Sequence, residues 1–255
     1  MLLNQIIDIV KEAGKLMLSA DFQIAEKEGV VNIVTTTDLA VQDFLCPRLA
    51  ELLPGSGFLC EEKDMYDISH EYTWIIDPID GTANFSRHID QCAICVGLKK
   101  GDAMEIGVVY IPYTNELFTA QKGQGAFRNG EPIHVSNRTY ENAILFTALS
   151  LYHKEHAKVC SDIIMDAYYS INDVRRFGAA APEICYVAMG RAELFFEYRL
   201  SPWDFAAASL ILQEAGGVIT DMQGQTLSCT VPSGVVAGNL PESHQRFLEV
   251  VKKHI

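Results

Sequence analysis

A chain of 255 residues with 49% hydrophobic and 21% charged side chains can bury one large core or two tightly joined halves, and its composition is that of a soluble globular protein. Its 20 Lys and Arg against 33 Asp and Glu leave a net charge of −13, which repels nucleic-acid phosphates and anionic membranes and argues against both as main partners. No run approaches ~18 uninterrupted apolar residues, and seven irregularly spaced cysteines suit a reducing compartment better than a disulfide framework, so the expected location is the cytoplasm.

In chain order, Leu2, Ile6, Ile9, Ala13 and Leu16 recur at helical spacing, with Asp8, Lys11 and Glu12 between them. Residues 2–18 therefore read as an amphipathic helix rather than an export signal. A short strand near 31–36 precedes a helix from about Asp38 to Leu53, which Pro47 should kink or split. Phe58–Glu61 and Tyr72–Asp77 read as strands that each end in carboxylates. Ala93–Leu98, Glu105–Ile111 and Glu116–Ala120 follow as an antiparallel meander, and Asn129-Gly130 marks a hairpin. Beyond it the pattern alternates: strand 143–147, helix 153–169, strand 172–177, helix 180–190, strand 192–197, helix 203–215, strands 217–221 and 234–237, helix 241–253. A β-rich part (1–138) and an alternating α/β part (139–255) imply an α+β fold of two sheets sandwiched with helices, in one compact body.

The chemistry concentrates in Trp74-Ile75-Ile76-Asp77-Pro78-Ile79-Asp80-Gly81-Thr82-Ala83-Asn84-Phe85. An apolar strand runs into two carboxylates. Pro78 holds Asp77 out of the α region, so the two acids are expected at a turn where the chain leaves the strand. Gly81 permits close backbone approach, and a helix starting near Thr82 would offer free N–H groups to a phosphate. Oxygen donors of this kind suit hard cations such as Mg²⁺. The competing interpretation is a plain strand-to-helix turn with Asp80 and Thr82 as caps. Asp204, after Pro202-Trp203, has a similar alternative as a first-turn acid favouring the helix dipole. Alternation sends Glu61 and Glu62 to opposite sides. An acidic protein would repel a phosphorylated substrate unless cations sat in the site, so charge and metal use agree.

Asp-Pro-Ile-Asp-Gly-Thr-x-Asn-Phe resembles the first signature of the inositol monophosphatase family of Mg²⁺-dependent, lithium-sensitive phosphatases. Trp203-Asp204-Phe205-Ala206-Ala207-Ala208, continuing to Glu214-Ala215-Gly216-Gly217, resembles the second. Leu59-Cys60-Glu61-Glu62 is similar to its Gly-Glu-Glu, and Thr35-Thr36-Thr37-Asp38 to its Thr-x-x-Asp block. The resemblance implies a layered αβαβα sandwich. It also implies two to three Mg²⁺ held by Glu61, Asp77, the Ile79 carbonyl, Asp80 and Asp204. Thr82, bonded to Asp38, would orient or deprotonate the attacking water, with Glu61 assisting. Substrate contacts would come from Asp80, from Gly81 and Thr82 N–H groups, from Gly178 and Ala180 beside Ala179, and from Glu197 and Lys27.

The same likeness implies a homodimer and a small phosphorylated substrate. Inositol 1-phosphate or a related polyol or sugar phosphate leads. Fructose 1,6-bisphosphate, NADP(H), histidinol phosphate and 3′-phosphoadenosine 5′-phosphate are alternatives, and a catalytically weak regulatory relative is the reading from another class. Cys60 and Ala208 stand where the family usually has Gly, and Asp90 where it often has Pro; none removes a ligand. Arg199, near the substrate end, is a candidate to meet a second phosphate. Cys92-x-x-Cys95 in a strand reads as two buried residues facing opposite sides, and His153-x-x-His156 as a solvated helix face.

Overall fold

A computed structural model describes the chain apart from residues 1, 20–21, 29–31, 64 and 151–152, and for 26–28 and 32–33 it describes the backbone alone. The first helix, α1 (Leu2–Ser19), buries Ile6, Val10, Ala13 and Met17, three or four residues apart, as its periodicity predicts. Where the sequence suggested one strand, two short ones pair antiparallel: β1 (Ile24–Glu28) and β2 (Asn32–Thr35). The second helix, α2 (Thr36–Leu52), opens on a capping box. Thr35 accepts from the N–H groups of Thr37 and Asp38, while Asp38 Oδ2 accepts from Thr35 N at 2.8 Å. Pro47 does not split this helix; the carbonyl it cannot engage is that of Asp43, an exposed residue whose oxygen can meet water.

The larger sheet takes β3 (Gly57–Cys60), β4 (Tyr66–Asp67), β5 (Tyr72–Asp80), β6 (Ala93–Lys100), β7 (Ala103–Ile111), β8 (Glu116–Gln121), β9 (Ala126–Arg128) and β10 (Glu131–Ile133), in the order β10-β9-β8-β7-β6-β5-β3-β4. A one-turn helix, α3 (Thr82–Phe85), follows β5. All pairings are antiparallel except β3 with β5. Asn129 and Gly130, at φ 50° and 84°, turn β9 into β10 as the dipeptide predicts. One expectation fails at Pro78. The chain does not leave the strand there: β5 runs on to Asp80, with a register shift between Asp77 opposite Cys95 and Asp80 opposite Ala93. A bulge, where a missing N–H is tolerated, absorbs the proline and re-aims the two acids.

The second sheet comprises β11 (Ile144–Thr147), β12 (Asp173–Arg175), β13 (Leu194–Leu200), β14 (Val218–Thr220) and β15 (Ser233–Gly238), in the order β12-β11-β13-β15-β14, with β11 parallel to both neighbours. Its helices are α4 (Ala157–Tyr168), α5 (Ala180–Ala188), α6 (Pro202–Glu214) and α7 (Pro241–Lys252). The apolar clusters define the layering. Ile6, Leu45 and Trp74 join α1 and α2 to one face of the large sheet. Val109, Ile184, Phe205 and Phe195 join its other face, through α5 and α6, to the second sheet. Leu145, Ile163 and Phe247 place α4 and α7 outside that sheet. The result is α, β, α, β, α. Cys92 and Cys95 fall in different clusters, on opposite faces, and all seven cysteines are free thiols.

The central helix α6 lies flush on the large sheet because both surfaces are stripped to small side chains. A Cβ on Gly107 would sit 2.4 Å from the Ala207 carbonyl oxygen. Gly107→Ala must push backbone from backbone, so we expect a loss of about 1–3 kcal/mol, read as a lowered denaturation midpoint at unchanged slope.

Candidate active site

Both sheets end their strands on one cleft of about 400 Å³ between the layers. From the large sheet, β3 delivers Glu61, whose N–H continues the ladder to Ile76 O at 3.1 Å, and the bulged end of β5 delivers Asp77, Ile79 and Asp80. From the second sheet come Ala148 and Arg176, just beyond β11 and β12, with Glu197 from the middle of β13 and Arg199 next to its last residue. The outer ends of parallel strands are where open α/β sheets place ligands. Asp204 arrives on the first turn of α6, and the 178–180 segment on the approach to α5.

Backbone N–H groups fix three of these carboxylates, those of Asp77, Asp80 and Asp204. Ile79 N donates to Asp77 Oδ1 at 2.9 Å. Ser201 N donates to Asp204 Oδ2 at 2.7 Å, so Asp204 serves its helix start and still lines the cleft. Asp80 bridges the layers, accepting from Ala180 N at 3.3 Å and Ala181 N at 2.6 Å, donors that the start of α5 leaves without helical partners. Ala180 thus lines the cleft with its N–H already engaged. Gly81 takes φ 89°, and a Cβ there would approach Ala179 Cβ at 3.0 Å and Gln91 O at 3.1 Å. The position requires glycine on both counts. Asn84 clamps the same junction, donating to Gln91 O at 2.6 Å and Phe177 O at 2.8 Å.

Thr82 is buried, and its Oγ1 lies 3.0 Å from both Asp38 Oδ1 and the Ile79 carbonyl oxygen. Asp38 is fully buried, its other oxygen bound by Thr35 N–H and hydroxyl. Burial raises its pKa, and the hydrogen bonds from Thr35 and Thr82 only partly offset that.

The remaining acids push one another upward. Burial, then the charges of Glu61, Asp80 and Asp204, holds the Asp77 carboxyl well above the usual range. Burial, then Asp80 and Glu61, does the same to Asp204. Asp80 is raised to about 7 by burial, against the Ala181 and Ala180 N–H groups that lower it. Burial raises Glu197 to about 8. Among the described residues no three His, Cys, Asp or Glu side chains already converge into a cage for an ion. Glu61, Asp77, Asp80 and Asp204 line one cleft. The donor set nevertheless fits a divalent hard cation: it is all oxygen, carries several like charges, and includes the carbonyl of Ile79, which lines the same cleft.

Several lining residues escaped the sequence reading. Glu183, buried on the first turn of α5, accepts from the N–H groups of Phe177 and Gly178 and so shapes the loop opposite Asp80; burial raises it to about 7. An acid three residues after Gly178-Ala179-Ala180 was the available signal. Arg176 and His153 also line the cleft. His153 is not on a helix face: it precedes a short 3₁₀ turn (Lys154–His156), and His156 stacks on Tyr198 with ring centroids 4.4 Å apart. Glu62, the neighbour of Glu61, is buried rather than solvated, its backbone gripped by the Gln42 amide. Lys27 belongs to β1, and its side chain lies outside the described residues.

These shifts have a sign that can be measured. Asp80, Glu183 and Glu197 bind protons more readily in the folded protein than in the unfolded chain. The stability this gives is complete below the unfolded values near 4, and it is lost as pH rises through about 7 and about 8. Calorimetry on metal-free protein should show Tm falling between about pH 5 and pH 8.5, with a shallower fall in Glu197→Gln.

A layered αβαβα sandwich with carboxylate oxygens and a hydroxyl–carboxylate pair on one cleft suits metal-assisted phosphate chemistry. The comparisons agree. Residues 2–255 match the family model described as the inositol monophosphatase family. The chain is 34% identical to Nus factor SuhB of Escherichia coli (strain K12), over 93% of this chain and 91% of that protein. It is 34% identical to an inositol monophosphatase of Mesembryanthemum crystallinum, over 97% and 94%. Among solved structures, SaIMPase-II with inositol monophosphate bound superposes with a TM-score of 0.85 at 28% identity, covering 99% of this chain and 95% of that one. The chain belongs to the inositol monophosphatase family.

Proposed function

We propose that this protein is a Mg²⁺-dependent phosphomonoesterase acting on inositol 1-phosphate or a related polyol or sugar phosphate. The observation that carries the reading is the meeting, on one cleft, of Glu61, Asp77, Asp80 and Asp204 from both sheets beside the Thr82–Asp38 pair. The relatives named inositol monophosphatase, and the similar structure holding inositol monophosphate, support the substrate class. On this reading residues 1–138 and 139–255 are two halves of one body that works as a homodimer in the cytoplasm. Lithium sensitivity is expected with it.

Glu61, Asp77, the Ile79 carbonyl, Asp80 and Asp204 would hold the cations. A cation held there would supply Lewis acidity to the phosphate and make an attacking water more acidic. Thr82 has one hydroxyl proton, which it directs to Asp38 or to the Ile79 carbonyl, so lone pairs of Oγ1 are left to accept the proton of that water. Asp38, with its raised pKa, can take the proton passed on by Thr82. The first N–H groups of α3 have no helical partners and can bind phosphate oxygens. Glu197, half-buried on the opposite wall, would accept a hydrogen bond from a substrate hydroxyl.

The test is phosphate release from a panel of monoesters with and without Mg²⁺; no Mg²⁺-dependent release from any of them would defeat the reading. The relative named Nus factor SuhB favours a second one, a binding or regulatory role with weak catalysis, and that negative result would turn attention to it.

A further inference from the structure

Helix α5 starts without a capping side chain. Its N-cap is Ala179, which carries no acceptor, and its third residue, Pro182, has no N–H to offer. Two N–H groups of the first turn are left to satisfy, those of Ala180 and Ala181, and both go to Asp80 from the large sheet. The residues before the cap are held from the other side. Phe177 and Gly178 donate their N–H groups to one oxygen, Oε1 of Glu183, on the first turn of the same helix. Asn84 adds a third hold at the Phe177 carbonyl oxygen. The segment 177–181 is thus strung between two carboxylates, Glu183 within the second half and Asp80 across the cleft.

A cap that serves only its own helix is the simpler explanation of Glu183, and the contacts argue against it. Glu183 is 2% exposed, and burial pushes its carboxyl up to about 7. A serine or threonine at 179 would cap the helix without burying an acid. Such a side chain bonds the second or third N–H of its helix, and here the third belongs to a proline. It would have to compete for the Ala181 N–H, which Asp80 holds at 2.6 Å. Glu183 secures the chain one step earlier and leaves both donors to Asp80.

We propose that Glu183 is a positioning residue for the cation site: by fixing the 177–181 segment it places the two N–H groups that orient the Asp80 carboxylate. The proposal rests on the reading of Asp80 as a cation ligand.

The test is Mn²⁺ binding to the full-length protein with inorganic phosphate present, followed by electron paramagnetic resonance, beside Mg²⁺-dependent phosphate release. Glu183→Gln and Glu183→Met are both uncharged and close in size, and only glutamine keeps an oxygen to accept the Phe177 and Gly178 N–H groups. The Gln variant should bind Mn²⁺ as the wild type does. The Met variant should bind it about 10–100-fold more weakly, the usual cost of losing a partner that orients a ligand, with a matching rise in the Mg²⁺ needed for half-activation. Glu183→Ala leaves room for a water at the two N–H groups, and the same loss is expected of it should the Met variant melt below the assay temperature. Glu214 supplies the control. It holds the N–H groups of Gly123 and Gly125 in a comparable way and does not line the cleft, so Glu214→Met should lower Tm and leave Mn²⁺ binding unchanged.

Equal Mn²⁺ affinity in the Gln variant and the acceptor-free variants, or an equal loss in Glu214→Met, would overturn the proposal. A wild type that binds Mn²⁺ yet releases phosphate from no monoester would remove the phosphatase reading alone. A wild type that binds no Mn²⁺ would sink both.

Discussion

Asp77→Asn and Asp204→Asn should each lower Mg²⁺-dependent phosphate release by roughly a thousandfold or more, about 4 kcal/mol of transition-state stabilisation. The substitutions are nearly isosteric, and Asn can still accept the N–H of Ile79 at position 77 and of Ser201 at position 204. Each removes one charge from a set whose members already raise one another's pKa. The metal-free variants should therefore melt at or above the wild-type temperature while their Mg²⁺-induced rise in Tm shrinks. Steady-state phosphate assays and calorimetry with and without Mg²⁺ read both halves. Loss of activity together with a much lower metal-free Tm would instead make these acids structural.

Thr82→Ala should reduce kcat by about 10²–10⁴, the usual range for a positioned proton acceptor. The Mg²⁺ concentration for half-activation should change little, because the Thr82 hydroxyl is assigned to the water and not to the cation. Thr82→Ser keeps an oxygen within reach of Asp38 Oδ1 and should recover most of the rate. Asp38→Asn should resemble Thr82→Ala in kcat, and the double variant should cost little more than either single change, since the two act as one relay. Additive losses would mean that the 3.0 Å bond between them is a packing contact only.

The layered fold was legible because its signals are periodic. The helical spacing in α1, the strand–turn series from β6 to β8, and the alternation after residue 139 all survive in the structure. Strands β9 and β10 flank a hairpin signal that was seen, yet they have only three residues each, too few for alternation to register. The bulge at Pro78 was not foreseen, because a proline in a central strand normally argues for a strand end; a register shift against β6 is a property of the partner strand as well. Asp77, Asp80, Thr82 and their glycine could be read from a single segment. Asp38 and Asp204 lie far from it in sequence and were tied to it by family likeness, while the structure supplies the contacts: Thr82 to Asp38, and the placing of Asp204 on the same cleft. Glu183, Arg176 and His153 had no comparable pattern. They belong to the site through the juxtaposition of strand ends and loops, which local sequence does not encode.

The central claim is a multi-cation centre assembled from both sheets, and counting the ions tests it most directly. Mn²⁺, as a spectroscopic stand-in for Mg²⁺, can be titrated into metal-free protein with inorganic phosphate present and followed by electron paramagnetic resonance. The account predicts at least two ions per chain in the wild type and the loss of one or more in Asp77→Asn and in Asp204→Asn. No tight Mn²⁺ in the wild type, or an unchanged count in both variants, would contradict it.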